Sequence, residues 1–309
     1  MKKVILTLTV GILVVLGAMA LLKKKPEEAS APACPSECTE AASPVCQVIQ
    51  ESLPTIDRIH RLFTIGNNKL PIVETVTYSP RVSWLEGRAA WIADYAAYFN
   101  TSRHFIARSL NGKADYYTQK VSHGDRFNVF KHDKPIEFYL LCDLSRCQMH
   151  FYYLDFENDE RVHLKTYPIG IGRRDATSPS GYLTPTGKYR LGTKVGIYKP
   201  GSMGMFQDNE AEMIQIFGTR WIPFGDELEG CTMGSRGYGL HGNPWLPDSD
   251  TGNLHECRDL IAKPESDGCI RLNQEDIEEL FSIVITKPTT IDIVKSLEDA
   301  QLPGREVTP

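Results

Sequence analysis

Outside its N-terminus the 309-residue chain has no long cluster of lysine or arginine, and its formal net charge is only -5, from 34 basic and 39 acidic residues. Nucleic-acid binding needs a concentrated basic surface, so no nucleic-acid partner is expected. The chain also lacks the close ligand pairs of a structural zinc site: His241, His255, Cys257 and Cys269 carry suitable atoms without the usual spacing. Neither a metal nor a cofactor is expected. No cysteine closes the apolar run at the N-terminus, so a lipid-modified terminus is not indicated either.

That apolar run is the first thing the chain does have. Val4 to Leu22 is nineteen residues long, uncharged, and flanked by Lys2-Lys3 and Lys23-Lys24-Lys25. Such a length just spans the hydrocarbon core of a bilayer. Residues 1–25 are read as a membrane anchor, with a cleavable signal peptide as the alternative, because Ala18-Met19-Ala20 resembles a small-x-small processing site. Residues 26–52 begin with a stretch rich in Pro, Ala, Ser and Glu that has no hydrophobic period, and they read as a linker. Eight cysteines, at 34, 38, 46, 142, 147, 231, 257 and 269, suit an oxidising compartment, and sequence alone does not give their pairing.

Residues 53–133 suggest a small module. In "AAWIADYAAYFNTSRHFIARSLNGK", Trp91, Tyr95 and Tyr98 recur at helical spacing, Asn100-Thr101-Ser102 caps a second helix bearing Phe105, Ile106 and Leu110, and Asn111-Gly112 makes a turn. Gly124-Asp125 then turns into a strand. The pattern resembles the second half of a LysM module, which implies a small α/β unit binding N-acetylglucosamine-containing glycan. A helical packing module with core aromatics is the other reading.

Residues 134–296 change character. "IEFYLLCDL", "QMHFYYLDF" and "RVHLKTYPIGIG" read as an antiparallel meander, and "TPTGKYRLGTKVGIY", "EMIQIFGTRWIPF" and "TTIDIV" supply further strands. One convincing helix, "NQEDIEELFSIV", has Asn273 as N-cap and an apolar stripe of Ile277, Leu280, Phe281 and Val284. The expected fold is mainly β (α+β), a β-sandwich or barrel-like domain with a short capped helix just after the turn at Cys269. Residues 297–309 are left as a C-terminal tail.

The chemistry gathers at "ESDGCIRLNQED". A cysteine nucleophile needs a proton acceptor, because an unperturbed thiol is only a few per cent ionised near neutrality. His241, in the glycine-rich "RGYGLHGNPW", is the favoured partner; the backbone there can approach a substrate and the imidazole need not be buried. His255 competes with it. Ser266 and Gly268 allow a sharp turn whose N–H groups, including that of Cys269, converge on a developing oxyanion. Arg271 is placed to hold a substrate carboxylate or to support the turn. Asp267 opposes a thiolate and is expected to point away. The helix at Asn273 starts too late for its dipole to act on the thiol, so activation falls to histidine.

These residues resemble the L,D-transpeptidase catalytic domain, the YkuD-like family, whose signature is His-Gly followed by Ser/Thr-x-Gly-Cys-hydrophobic-Arg/Asn. Here His241-Gly242 is followed by Ser266-x-Gly268-Cys269-Ile270-Arg271, with "TPTGKY", "YPIGIG" and "FGTRWI" upstream in family order. The resemblance spans roughly Ile136 to Lys295. It implies attack by Cys269 on a peptidoglycan stem tetrapeptide, before the terminal D-alanine. His241 would take the proton, Gly242 would orient it through its carbonyl, and an amine would accept the acyl group in a 3→3 cross-link or a wall attachment. Hydrolysis, as in an L,D-carboxypeptidase, and a non-catalytic wall-binding protein are the alternatives. The implied partners are stem peptides and glycan, with the membrane reached through residues 4–22, on the periplasmic side of the inner membrane. Asp267 stands where many members have a second histidine. The stretch between His241 and Cys269 is longer than in compact members, and is expected to be a lid or loop, tied by a Cys231–Cys257 disulfide.

Overall fold

The first three apolar runs from Ile136 pair in the order in which the chain makes them. In the computed structural model, which describes residues 56–111 and 120–309, Ile136–Asp143 and Gln148–Asp155 form a hairpin from Ile136↔Asp155 to Asp143↔Gln148. Glu160–Pro168 pairs next, with a register shift between Phe151 and Tyr152. Thr289–Val294 lies parallel on the other side of Ile136–Asp143, and Gly187–Leu191, Arg220–Glu229, Gly239–Gly242 and Ile270–Leu272 continue the sheet to its far edge. The domain is mainly β, as expected, and takes the form of one curled sheet. The apolar run, the linker, Cys34, Cys38, Cys46 and Gly112 lie outside the described residues. Among the described residues no helix is long and apolar enough to cross a membrane.

The central strands are covered on both faces, which is why they read as continuous apolar runs. On one face Phe138, Leu140, Met149 and Phe151 pack with Ile277, Leu280, Phe281 and Val284 of the helix Gln274–Val284. On the other, Tyr139, Leu141, Tyr152 and Leu154 lie under Leu297, Ala300 and Leu302. The C-terminal segment is thus part of the fold, and Arg305–Glu306 adds a short parallel strand beside Glu160–Pro168.

The segment before the sheet has β-α-α-β order: Val73–Thr77, helices Ile92–Tyr98 and Arg103–Asn111, then Arg126–Phe130 antiparallel to the first strand. It has a small core of its own around Tyr95, Ile106 and Phe127. Its other side joins the main core through a chain of tilted and edge-on ring contacts. Phe105–Phe130, Phe130–Phe138 and Phe138–Phe151 follow at 4.4, 5.6 and 5.3 Å, each contact adding about 0.5–1.5 kcal/mol beyond area burial. Packing is therefore continuous across residue 133.

One expected strand is in part a helix. In "EMIQIFGTRWIPF" the residues Ile214–Phe217 make a helical turn that ends at Gly218, φ 60°, and the strand starts only at Arg220. A Cβ at Gly218 would lie 2.5 Å from the Asn243 carbonyl oxygen. Glycine here lets the turn press against the end of the strand that carries His241.

Candidate active site

The strand Ile270–Leu272 begins directly after Cys269 and runs parallel to Gly239–Gly242, pairing Leu240↔Ile270, His241↔Arg271 and Gly242↔Leu272. Ladder partners share a face, and side chains alternate along a strand. Leu240, Ile270 and Leu272 enter the core, so His241, Arg271 and, two residues before Arg271, Cys269 are directed to the opposite face. Parallel strands cannot be joined by a tight turn and need a crossover of a dozen or more residues. The long stretch between His241 and Cys269 is that crossover.

The turn before the thiol is tightly held. Gly268 has φ +119°, and a Cβ there would sit 2.5 Å from the Tyr238 ring and 2.8 Å from the Leu183 carbonyl oxygen. Ser266 Oγ accepts from the Gly268 N–H at 3.1 Å and donates to the Cys269 carbonyl at 2.6 Å. The buried Thr184 donates from Oγ1 to the Gly268 carbonyl at 3.0 Å and accepts from the Gly172 N–H at 2.7 Å. The Cys269 N–H has no hydrogen-bond acceptor among the described residues.

His241 is 4% exposed, so the open imidazole expected from its glycine-rich surroundings is not what forms. Phe217 meets its ring edge-on at 5.5 Å and Trp221 packs at 6.0 Å. Its Nδ1 lies 2.7 Å from the Gly242 carbonyl oxygen. A carbonyl only accepts, so Nδ1 carries the proton and Nε2 presents a lone pair. Burial first, and the Arg271 cation second, hold the His241 pKa down to about 3, against the opposing bond to Gly242. Burial pushes the Cys269 thiol up to about 11, although the Gly239 N–H and Arg271 favour the thiolate and Asp267 disfavours it. The resting pair is a neutral thiol and a neutral imidazole. Cys269 is free, and its Sγ donates to the Gly237 carbonyl at 3.5 Å. Arg271 is 8% exposed, and its Nε has no partner among the described residues.

The L,D-transpeptidase catalytic domain family, YkuD, matches residues 137–293, just over half of the chain. The chain belongs to this family. Two solved structures share partial likeness. The Bdellovibrio bacteriovorus protein Bd1075 is 16% identical with a TM-score of 0.33, over 52% of this chain and 48% of that one. The helical cell shape determining protein Pgp2 from Campylobacter jejuni is 16% identical with a TM-score of 0.34, over 56% and 51%. The matched region thus spans about half the length of each. No curated protein gives a significant match.

Within this transpeptidase-family domain, Asp267 points away from the thiol as expected: its side chain is 85% exposed and accepts from Arg173 at 2.6 Å. The crossover, expected to be a lid or loop, also serves as a structural tie. Its hairpin, Trp245–Pro247 and Leu254–Glu256, brings Glu256 to the N-terminus of the helix Gln274–Val284. There Glu256 Oε1 accepts from the Gln274 N–H at 2.6 Å and from Asn243 Nδ2 at 3.2 Å. Asn273 occupies the N-cap position without a side-chain cap bond; its Oδ1 accepts from Asn243 Nδ2 at 3.2 Å instead. Glu256 therefore ties the ends of both site strands to the helix. The expected Cys231–Cys257 bridge is not made: Cys257 is disulfide-bonded while Cys231 is free and donates to the Lys188 carbonyl at 3.0 Å. The bond takes Cys257 out of any zinc set, and His255 is exposed on the hairpin. Thr184, Gly239 and Glu256 were not singled out from sequence. Thr184 stood in "TPTGKY" and Gly239 in the glycine-rich "RGYGLHGNPW", the two motifs that could have raised them.

Proposed function

We propose that the protein is a peptidoglycan L,D-transpeptidase with Cys269 as nucleophile and His241 as its base, acting before the terminal D-alanine of a stem tetrapeptide. The observation that carries this reading is one strand face that holds a free cysteine and a histidine whose Nδ1 is fixed on Gly242, leaving Nε2 as the acceptor.

As substrate enters, the thiol turns from the Gly237 carbonyl to His241 Nε2. The thiol proton passes to Nε2 while sulfur bonds to the carbonyl carbon. The oxyanion takes the unengaged Cys269 N–H. The imidazolium then protonates the D-alanine nitrogen, the C–N bond breaks, and a thioester remains. An acceptor amine gives its proton to His241 and forms the new amide as the C–S bond breaks, and the imidazolium returns that proton to the leaving sulfur; water in place of the amine gives hydrolysis. A positioned base contributes about 10²–10⁴-fold and an oxyanion donor about 10²–10³-fold. The low His241 pKa makes the imidazolium a ready donor to the leaving nitrogen and the imidazole a weak acceptor, so the thiol proton moves only as sulfur bonds to carbon. Arg271, buried on the same face with its Nε unpartnered among the described residues, would meet a carboxylate of the substrate.

The β-α-α-β segment would bind the glycan from which stem peptides branch, and Val4 to Leu22 would tether the protein at the membrane on the wall-facing side. The test is digestion of wall material with wild-type and Cys269→Ala protein. Loss of tetrapeptides with gain of 3→3 dimers or tripeptides in the wild type alone supports the reading. Identical muropeptide profiles would sink it.

A further inference from the structure

Thr184 lies outside the strands that carry the cysteine and the histidine, yet it is fully buried and its hydroxyl is bonded on one side to the turn that holds the thiol and on the other to the Gly172 N–H. Its Oγ1 donates to the Gly268 carbonyl at 3.0 Å and accepts from the Gly172 N–H at 2.7 Å. Both donor and acceptor capacity are thus used, and the direction of the hydroxyl hydrogen is fixed by the pairing. The Gly268 carbonyl and the Cys269 N–H belong to one peptide group. In a planar trans peptide they point in opposite directions, so whatever holds the oxygen aims the N–H.

The surrounding contacts allow this grip and little else. Gly172 has no room for a side chain, since a Cβ there would lie 2.5 Å from the Thr184 nitrogen. On the other side Ser180 Oγ donates to the Thr184 carbonyl at 2.8 Å. Gly268, with φ +119°, has the conformational freedom that would let its peptide plane rotate if nothing held the oxygen. Meanwhile the Cys269 N–H points to no acceptor among the described residues. A backbone donor kept in place and kept unused is what a developing oxyanion requires.

We propose that Thr184 is a positioning residue for acyl transfer: by gripping the Gly268 carbonyl it sets the Gly268–Cys269 peptide plane and holds the Cys269 N–H on the oxyanion. This rests on Cys269 being the nucleophile. Thr184 touches no reacting atom and leaves the nucleophilicity of the thiol unchanged.

Two reactions of the same sulfur separate that role from a merely structural one. In acylation by a carbapenem, sulfur bonds to the β-lactam carbonyl carbon, the ring C–N bond breaks, and the thiol proton passes through His241 to the ring nitrogen; an oxyanion forms on the way. In alkylation by iodoacetamide, sulfur displaces iodide, the proton goes to solvent, and no oxyanion forms. Both rates are read at Cys269 by mass spectrometry in the full-length protein, for the wild type, Thr184→Val and Thr184→Ser. Valine keeps the shape and removes the hydroxyl; serine restores it.

The expected result is acylation about 10–100-fold slower in Thr184→Val, alkylation within about 2-fold of wild type, and acylation substantially restored in Thr184→Ser. Equal acylation rates in Thr184→Val and wild type overturn the proposal. So does a parallel fall of both reactions, which would mark a general distortion of the turn. If the wild type itself forms no adduct, the nucleophile reading fails and takes this inference with it; an adduct on the wild type with an unaffected Thr184→Val overturns the Thr184 role alone.

Discussion

The neutral resting state of the thiol and imidazole makes a quantitative prediction about pH. With the thiol pushed up to about 11 and His241 held down to about 3, the thiolate fraction at pH 7 is on the order of 10⁻⁴, against about 3% for an ordinary thiol of pKa 8.5. Alkylation of Cys269 should then be roughly 300-fold slower than that of an unperturbed exposed thiol at pH 7, on thiolate fraction alone. Its logarithm should climb by about one unit per pH unit from 7 to 10. The second arm is His241→Ala. In a preformed thiolate–imidazolium pair, removing the imidazole would collapse alkylation. Here it should change alkylation by no more than a few-fold, while acylation by a carbapenem falls about 10²–10⁴-fold, because the base acts only as the bond forms. The assay is iodoacetamide labelling read on the Cys269 peptide, which keeps the free Cys231 and Cys142 out of the signal. A rate plateau between pH 6 and 8, or an alkylation rate that collapses in His241→Ala, would refute the neutral-pair argument.

Other outcomes follow from the same geometry. Gly268→Ala places a Cβ against the Tyr238 ring at φ +119° and should cost about 2 kcal/mol or more, read as a fall of several degrees in Tm, with loss of acylation. Glu256→Ala removes the acceptor of the Gln274 N–H and of Asn243 Nδ2 and should lower stability by about 1–3 kcal/mol in denaturant unfolding, although it lies on the crossover rather than at the thiol. Arg271→Met should leave Tm within a few degrees, since the desolvation of the buried guanidinium offsets what its charge contributes to stability, while KM for a stem tetrapeptide rises. Stability should also fall on acidification. His241 and His150 are held down to about 3 and about 4 mainly by burial, below the unfolded value near 6.5. Between those values the unfolded chain binds protons that the folded chain does not, so a few kcal/mol present above pH 6.5 drains away toward pH 4. A flat stability profile over that range, by denaturant titration, would contradict the burial of these rings.

Sequence singled out residues that the fold brings onto one face better than it revealed their surroundings. Cys269, His241 and Gly242 were legible because a cysteine after a sharp glycine turn and a His-Gly pair are local patterns with few other uses together. The meander of strands was legible because strands buried on both faces read as unbroken apolar runs. What stayed hidden depends on contacts between distant segments. The burial of His241 comes from Phe217, which arrives only when Ile214–Phe217 turns as a helix beside Gly218, and from Trp221, its partner across the antiparallel ladder. Apolar periodicity over so short a run does not separate a helical turn from a strand. The N-terminus of the helix Gln274–Val284 looked self-capped by Asn273, yet the acceptor is Glu256, supplied by a hairpin whose position no local rule gives. The crossover read as a lid or loop because only its length is visible in sequence. Parallel pairing of the two site strands, which explains that length, emerges only in the fold. Asp267 behaved as charge alone required: it turned outward to Arg173.

The central claim is that Cys269 transfers an acyl group from a stem peptide. Purified disaccharide tetrapeptide, incubated with the protein and followed by intact-protein mass spectrometry and product analysis, tests it most directly. A thioester adduct on Cys269, together with released D-alanine that Cys269→Ala does not release, is the expected result. Release of D-alanine by Cys269→Ala at the wild-type rate, or no adduct and no release from the wild type, would contradict the account.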